Sequence, residues 1–231
     1  MKLLFTNAGR RTYLVEYALH LQQNGYPVEV CVSDASKNTA AMHVSPLTQK
    51  FLTPMINEGE EAYARYVFEL CQREQIDVVI PLMDYEIPVL SHCRDQFFSV
   101  GTQVWVSPPQ VTETCLDKKR CYSFCQEQQL PVPRSWFEET PEEKELPIIH
   151  KKVLGSGSVG QRIISSKDDL DVADPDSFYQ SYIDGREFGM DILNDFEGNY
   201  VHSYQREKLL MRAGETDKAR SFASAKFDEL A

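Results

Sequence analysis

Short apolar runs alternate with longer helical patterns through the first half of the chain, and this alternation constrains the fold more than any other feature. Five runs rich in Leu, Val and Ile predict strands at residues 2–6, 28–33, 50–53, 78–82 and 104–107. Three longer segments predict helices at residues 10–24, 59–75 and 86–100. In the second of these, Ala62, Tyr66, Val67 and Leu70 recur at helical spacing, so one face packs on the strands. Such alternation is typical of a parallel, doubly wound α/β sheet.

The pattern changes after Pro108 and Pro109, where the repeat ends. A helix is predicted at residues 117–128, and the acidic stretch at 138–145 indicates a solvated loop. Short strands without intervening helices are then predicted at residues 148–152, 161–165, 177–183, 187–194 and 200–206. The second half is therefore predicted to be an antiparallel α+β region.

Composition and charge limit the classes of partner. The 231 residues carry a formal net charge of −11. Nucleic-acid binding depends mostly on neutralising phosphates with Lys and Arg, so no nucleic-acid partner is expected. No apolar stretch approaches the length of a bilayer span, so a cytoplasmic protein without a membrane partner is expected. The six cysteines form no C-x-x-C pair, and no metal site is predicted from them.

The stretch from His150 to Gln161, HKKVLGSGSVGQ, has the composition of a phosphate-binding loop. A Walker A loop needs Lys and then Ser or Thr after its second glycine, but Gln161 and Arg162 occupy those positions, so that motif is excluded. Because the lysines precede the glycines, one interpretation is a cation on a strand, followed by a loop whose backbone N–H groups fold over phosphates. The other interpretation is a surface turn between two apolar runs.

The first strand–helix turn, TNAGRR, raises a different nucleotide-binding hypothesis. In a Rossmann-type nicotinamide-binding protein, Asp34 would stand after the second strand, where a ribose carboxylate is expected. The G-x-G-x-x-G fingerprint needs three glycines, and this turn has only Gly9. The nicotinamide hypothesis is therefore the weaker alternative, and Asp34 is more simply a turn residue at a strand end.

Six segments, taken in order, resemble the ATP-grasp superfamily, and most closely its carbamoyl-phosphate-synthase large-subunit-like group. They are LLFTNAGRRTYLVE, DVVIPLMDYEIPVLS, LDKKRCYSFCQEQQLPVPRSW, PIIHKKVLGSGSVG, YQSYIDGREFGMDIL and REKLLMRAGET. These segments span nearly the whole chain in the family's order. The resemblance implies a pre-ATP-grasp α/β domain at residues 1–112, an α+β ATP-grasp lid at 113–186, and the start of an incomplete antiparallel C-terminal subdomain at 187–231.

The resemblance also implies a set of nucleotide-binding residues in the second half of the chain. They are the phosphate lysines Lys118 and Lys151, the flap residues Gly155, Ser156, Gly157 and Ser158, the adenine-hinge residues Gln180, Ser181, Tyr182 and Ile183, and the ribose carboxylate Glu187. Arg206, Lys208 and Arg212 lie where the family has catalytic cations for the γ-phosphate or an acyl-phosphate. Surface charges on a final strand are the alternative for these three residues.

Four charged residues of the first domain are candidates for binding the acceptor substrate. Asp84 and Glu86 follow the fourth predicted strand at its carboxyl end, where α/β sheets present ligands. Arg10 and Arg11 follow the first strand in the same way and would suit an anionic substrate. The alternatives are carboxylates favoured at a helix N-terminus, and capping or surface roles for the arginines.

The resemblance implies an ATP-dependent ligase, in which a phosphorylated carboxylate becomes an acyl-phosphate that an amine or a thiol attacks. Its cofactors would be ATP and Mg²⁺, and its substrates a small carboxylate and an amine. The family's Mg²⁺ ligands, an acidic residue and a Glu-x-Asn, lie on late strands, and no such motif precedes Ala231. Two hypotheses stay open: a working ligase that forms a homodimer, or a truncated or split nucleotide-binding module whose fold a second chain completes.

Overall fold

A computed structural model describes residues 1–170, 174–195, 197–212 and 214–230. The chain divides into two compact units, with the boundary between Leu116 and Asp117. The first unit contains five strands, β1 (Lys2–Thr6), β2 (Glu29–Asp34), β3 (Gln49–Leu52), β4 (Val78–Pro81) and β5 (Gln103–Val104). It also contains four helices, α1 (Thr12–Gln23), α2 (Glu60–Glu74), α3 (Glu86–Ser99) and α4 (Pro109–Leu116).

The strands of the first unit form one parallel sheet in the order β3-β2-β1-β4-β5. Strand β1 lies at its centre, and its side chains alternate between two buried clusters. Leu3 and Phe5 pack with Val15 of α1, whereas Leu4 packs on the opposite face with Val67 of α2. Because both faces are covered by helices, the strands are apolar runs rather than alternating ones. The prediction of a doubly wound parallel α/β sheet is confirmed.

Helix α4 is absent from the sequence-based prediction, which ended the repeat at the two prolines. Pro109 is the first residue of this helix. Proline is well tolerated there because the first helical N–H groups have no intrahelical acceptor in any case. The two prolines therefore mark the start of a helix as well as the end of the strand–helix repeat.

The second unit contains two helices, α5 (Lys118–Glu127) and α6 (Ala225–Asp228). Its strands are β6 (Ser135–Trp136), β7 (Ile148–Lys152), β8 (Arg162–Ile164), β9 (Ser177–Ser181), β10 (Glu187–Asn194), β11 (Tyr200–Arg212) and β12 (Glu215–Phe222). They form two antiparallel sheets, one in the order β6-β9-β7-β8 and one in the order β10-β11-β12. The predicted antiparallel α+β character of this half is confirmed.

The last two strands differ from the prediction. Strand β11 continues six residues beyond Arg206, the predicted end, to Arg212, and β12 was not predicted. The register of β11 against β12 shifts between Lys208 and Leu210 and again between Leu210 and Met211. Such bulges break the two-residue alternation by which a strand is recognised in a sequence.

One carboxyl group is fully buried at the carboxyl end of the parallel sheet. Glu86 opens α3, and one of its oxygens accepts the backbone N–H groups of Leu82 and Met83 at 2.9 and 3.0 Å. The other oxygen accepts the Asn7 amide at 2.8 Å and the Tyr63 hydroxyl. Burial raises the pKa of Glu86, and these donors counteract that shift. Glu86 thus ties β1, α2, α3 and the loop after β4 together.

We expect Glu86→Ala to lower the free energy of unfolding of the first unit by roughly 2–4 kcal/mol, because several buried donors lose their acceptor. Amide hydrogen exchange in β1 and β4 measures this change. The control is Glu69→Ala on the exposed face of α2, which should leave that exchange unchanged. Equal exchange in the two variants would show that the Glu86 network contributes nothing measurable to stability.

Candidate functional site

A lysine at the start of α5 is placed by the capping of that helix. The Asp117 side chain accepts the backbone N–H groups of Lys119 and Arg120 at 2.8 and 3.0 Å, and so fixes the first turn. Lys118 is the first helical residue, and its ammonium donates to the carbonyl oxygens of Gly155 at 2.8 Å and of Val153 at 3.4 Å. One cation therefore holds the beginning of the glycine-rich loop.

A second lysine lies nearby on the central part of the β6-β9-β7-β8 sheet. Lys151 is the fourth residue of β7, and its ammonium donates to the Gln180 side chain on β9 at 2.7 Å. Gln180 in turn donates to the Ser135 hydroxyl at 3.0 Å. Burial lowers the pKa of Lys151, the Lys118 charge lowers it further, and the Glu187 charge opposes both. Two ammonium groups are thus held within electrostatic range of each other.

The glycine-rich loop has a backbone that favours glycine. Gly157, Ser158 and Gly160 have φ angles of 62°, 56° and 73°, all in the left-handed region. Within the part of the chain that the structure describes, the backbone N–H groups of Ser156, Gly157 and Ser158 have no acceptor. Consecutive N–H groups in such conformations form concave sites for anions.

These elements surround one cavity of about 190 Å³. The described residues that line it include three lysines, Lys118, Lys151 and Lys152, together with the glycine-rich loop, and none of them is acidic. Lys152 is also paired with Asp174 at 2.8 Å outside the lining. A cavity lined by cations and by residues with unpaired backbone N–H groups favours a polyanion such as a chain of phosphates.

Four described lining residues are not among the predicted site residues, namely Lys152, Val159, Gln161 and Gly214. Lys152 follows Lys151 directly, and alternation along a strand would place it on the opposite face, but β7 ends at this residue. Gly214 lies in the turn between β11 and β12 and lines the cavity from a distant part of the sequence. In the sequence, Gly214 belongs to REKLLMRAGET, one of the segments that carry the resemblance, and no ligand role was predicted for it.

The predicted hinge residues lie at the end of β9, beside the lysines. The backbone N–H groups of Ser181 and Tyr182 donate to the carbonyl oxygens of Arg134 at 2.8 Å and of Pro147 at 3.4 Å. The N–H group of Ile183 has no acceptor among the described residues, and its side chain is 68% exposed. Ile183 is therefore the hinge residue whose backbone donor is available to a ligand.

The predicted ribose carboxylate and two predicted catalytic cations share one face of the β10-β11-β12 sheet. Glu187 lies opposite Lys208 in the register and accepts from its ammonium at 2.5 Å. Arg206 lies two residues from Lys208 and forms an ion pair with Asp191 on β10. The opposite face carries Phe188 and Phe222, which pack on Phe227 of α6. Packing of this second face directs the charged face outward.

Arg212, the third predicted catalytic cation, lies at the end of β11. Its guanidinium pairs with Asp217 on β12 at 2.8 Å. The structure therefore gives each of the three predicted cations a carboxylate partner within the second unit.

The four predicted substrate residues all belong to the first unit. Asp84 is exposed in the loop after β4, whereas Glu86 is buried in the hydrogen-bond network described above. Arg10 is exposed, and Arg11 precedes α1 and donates its backbone N–H to Ala8 at 2.8 Å. Of the four, Glu86 has its carboxylate oxygens engaged by protein donors.

Asp34, the residue on which the nicotinamide hypothesis depended, also has a local role. Its side chain accepts the backbone N–H of Gly9 at 3.1 Å and that of Ser36 at 3.0 Å. The carboxylate therefore fixes the turn after β1, in agreement with the simpler interpretation of this residue.

Metal ligands and membrane spans were sought in the same structure. In residues 1–170, 174–195, 197–212 and 214–230, no three His, Cys, Asp or Glu side chains lie together in a group that could hold a metal ion. The described residues therefore offer no metal site made of three or more such side chains. No helix in the described ranges has both the length and the apolar character needed to cross a bilayer.

Solved structures with a similar fold include three enzymes. L-amino acid ligase from Bacillus licheniformis is 17% identical, with a TM-score of 0.69, over 99% of this chain and 56% of that one. A biotin carboxylase–ATP complex from Campylobacter jejuni is 16% identical, with a TM-score of 0.69, over 93% and 52%. N5-carboxyaminoimidazole ribonucleotide synthetase from Thermotoga maritima is 16% identical, with a TM-score of 0.63, over 89% and 53%. The chain thus spans about half the length of each of these three proteins.

Family models match both halves of the chain. Residues 3–105 match a PylC-like N-terminal domain. Residues 115–231 match an ATP-grasp domain. Comparison with curated protein sequences gives no match. The ATP-grasp model includes every described residue that lines the cavity of Lys118, Lys151 and Lys152, called the lysine cavity below. Since this model covers half of the chain, the protein belongs to the ATP-grasp family.

Proposed function

We propose that this protein binds ATP in its second unit and acts as an ATP-dependent ligase. The observation that carries the proposal is the cavity lined by Lys118, Lys151, Lys152 and the glycine-rich loop, whose described lining residues include no acidic one. Two partly buried ammonium groups repel each other, and a polyphosphate offsets that repulsion. The ATP complex of a similar fold in Campylobacter jejuni supports the same nucleotide.

In the proposed complex, the phosphates lie in the lysine cavity. Lys151 and Lys118 bind phosphate oxygens, and the N–H groups of Ser156, Gly157 and Ser158 donate to the same oxygens. Ile183 donates its backbone N–H to the adenine ring, since the N–H groups of Ser181 and Tyr182 are occupied. Gln180 fixes the Lys151 ammonium through the 2.7 Å hydrogen bond. It thereby connects the phosphate end of the proposed site with the adenine end.

The ribose and the transferred phosphate belong to the charged face of the β10-β11-β12 sheet in this proposal. Glu187 would accept hydrogen bonds from the ribose hydroxyls, while Lys208 holds the carboxylate in place at 2.5 Å. Arg206 and Arg212 would exchange their present carboxylate partners, Asp191 and Asp217, for phosphate oxygens. Arginine suits this exchange because its planar fork binds phosphate as well as carboxylate.

Bound ATP would supply a phosphoryl group that activates a carboxylate as an acyl-phosphate, which an amine or a thiol then attacks. The chain's own contribution is to position the phosphates and to stabilise their charge, which is the main source of catalysis in phosphoryl transfer. No step is assigned to Mg²⁺, because the described residues form no ligand group for it. Arg10, Arg11, Asp84 and Glu86 stay the proposed acceptor-site residues, and Glu86 would act by fixing the loop that carries Asp84.

We expect Lys151→Ala to weaken ATP binding roughly 10- to 100-fold, because a charge-assisted hydrogen bond is lost in a partly buried site. Calorimetric titration with ATP, with and without Mg²⁺, measures the change. The matched control is Lys167→Ala, which removes the same charge from an exposed 3-10 turn. Equal affinities of the two variants would reject Lys151 as a phosphate ligand.

We also expect ATP binding to be accompanied by proton uptake once the pH rises through the lowered pKa of Lys151. The pKa of Lys151 is lowered in the free protein by burial and by Lys118, and phosphate oxygens would raise it again. Between the two pKa values, binding therefore recruits a proton to Lys151, and affinity falls as the pH rises through the lower one. Calorimetry in buffers of different ionisation enthalpy counts the protons, and Lys151→Ala should abolish the additional uptake.

We further propose the narrower carbamoyl-phosphate-synthase-like reaction class, in which bicarbonate is the carboxylate that is phosphorylated. When ATP and Mg²⁺ are present, we expect bicarbonate to stimulate the formation of ADP by this chain. We expect Lys151→Ala to abolish that stimulation. Stimulation by an amino acid with hydroxylamine, giving a hydroxamate, would instead favour an amino acid ligase. ATP binding without ADP release under either condition would support a nucleotide-binding module that needs a second polypeptide.

A further inference from the structure

The turn between β11 and β12 forms one wall of the lysine cavity. Gly214 lies in this turn with a φ angle of 77° and lines the cavity together with the glycine-rich loop. The two segments meet through their backbones. A Cβ atom added at Gly214 would overlap with the Cα, carbonyl carbon and carbonyl oxygen of Gly157.

A side-chain rotation cannot remove this overlap. The atoms that would have to move belong to the backbone of Gly157, whose φ angle of 62° is followed by a φ angle of 56° at Ser158. Moving that backbone away from Gly214 would also move the N–H groups of Ser156, Gly157 and Ser158, the proposed phosphate donors, whose residues line the cavity. The absence of a side chain at position 214 is therefore a condition for the observed position of the loop.

The neighbouring hairpin shows that this requirement is specific to one turn. Gly198, in the turn between β10 and β11, has a φ angle of 87°, but a Cβ atom added there would meet no atom within 4 Å. Both glycines serve the left-handed backbone of a tight turn. Only Gly214 of this pair combines that conformation with close approach to another segment.

We propose that Gly214 is a positioning residue for the phosphate site, a role that rests on the nucleotide-binding function proposed above. The loop is held at its start by the hydrogen bond from Lys118 to Gly155 and in its middle by the backbone contact with Gly214. The contact with Gly214 limits where the loop backbone can lie, and so sets the position of the loop N–H groups relative to the lysines. The β11–β12 turn thus determines affinity for the phosphates and leaves the adenine hinge, which lies at the end of β9, unaffected.

The experiment compares Gly214→Ala with Gly198→Ala, since both place alanine at a positive φ angle and only the first meets the loop. Calorimetric titrations use ATP, ADP and adenosine. We expect Gly214→Ala to bind ATP and ADP about tenfold more weakly than Gly198→Ala, because overpacking displaces the loop. Both variants should bind adenosine as the unaltered protein does. Equal ATP affinities of the two variants would overturn the inference.

A second pair of variants covers the case in which alanine destabilises the hairpin itself. Asparagine tolerates the left-handed region, so Gly214→Asn and Gly198→Asn keep the turn while adding a side chain. Amide hydrogen exchange of residues 155–160 without nucleotide should rise in Gly214→Asn alone, while exchange in β7 and β9 stays unchanged. Unchanged exchange of the loop in Gly214→Asn would contradict the inference.

The outcomes separate this inference from the proposed function. If the unaltered protein does not bind ATP, the nucleotide-binding function is rejected, and the phosphate-positioning role of Gly214 is rejected with it. If the unaltered protein binds ATP and Gly214→Ala binds it equally well, only the positioning role is rejected. Weaker ATP binding by both Gly214→Ala and Gly198→Ala to the same extent would likewise reject it, because the cause would then be strain in the turns.

Discussion

The arrangement of the second unit depends on holding two ammonium groups close together in a partly buried place. The pKa of Lys151 is lowered both by burial and by the charge of Lys118, and it is raised in part by the charge of Glu187, which is not among the described residues that line the cavity. Hydrogen bonds stabilise both ammonium groups, because Lys118 donates to backbone carbonyl oxygens and Lys151 donates to the Gln180 amide oxygen. Strained electrostatics of this kind are common at sites that bind a charged ligand.

The hydrogen bonds of the two lysines suggest a division of roles. An ammonium group has three donors, and Lys118 directs two of its contacts to carbonyl oxygens at the start of the glycine-rich loop. Lys151 has one described side-chain contact, to Gln180. Lys118 therefore holds the start of the glycine-rich loop, and Lys151 is itself held by Gln180. The contact of Lys151 depends on the pairing of β7 with β9, in which Lys151 lies opposite Phe178 and is a diagonal neighbour of Gln180.

Much of this arrangement could be predicted from the sequence. The alternation of apolar runs and helical segments predicted the parallel sheet, and the resemblance to the ATP-grasp superfamily grouped Lys118 and Lys151 with the glycine-rich loop. Gly214 could not be found in this way, because its role arises from the approach of two segments far apart in the chain. The length of β11 also escaped prediction, since bulges near Leu210 remove the alternation that marks a strand. Patterns within one element are visible in a sequence, and contacts between elements are not.

Glu86 shows that a position at a strand end does not by itself make a carboxylate available to a ligand. The sequence placed this carboxylate at the carboxyl end of β4, where ligands are usually bound, and the structure places it there with its oxygens turned to Asn7, Tyr63, Leu82 and Met83. A carboxylate that accepts this many donors is poorly suited to exchange them for a substrate, since each donor would lose its acceptor in a buried place. Position at a strand end therefore identifies the region of a site, and the hydrogen bonds decide whether a residue in it binds the ligand or holds the residues that do.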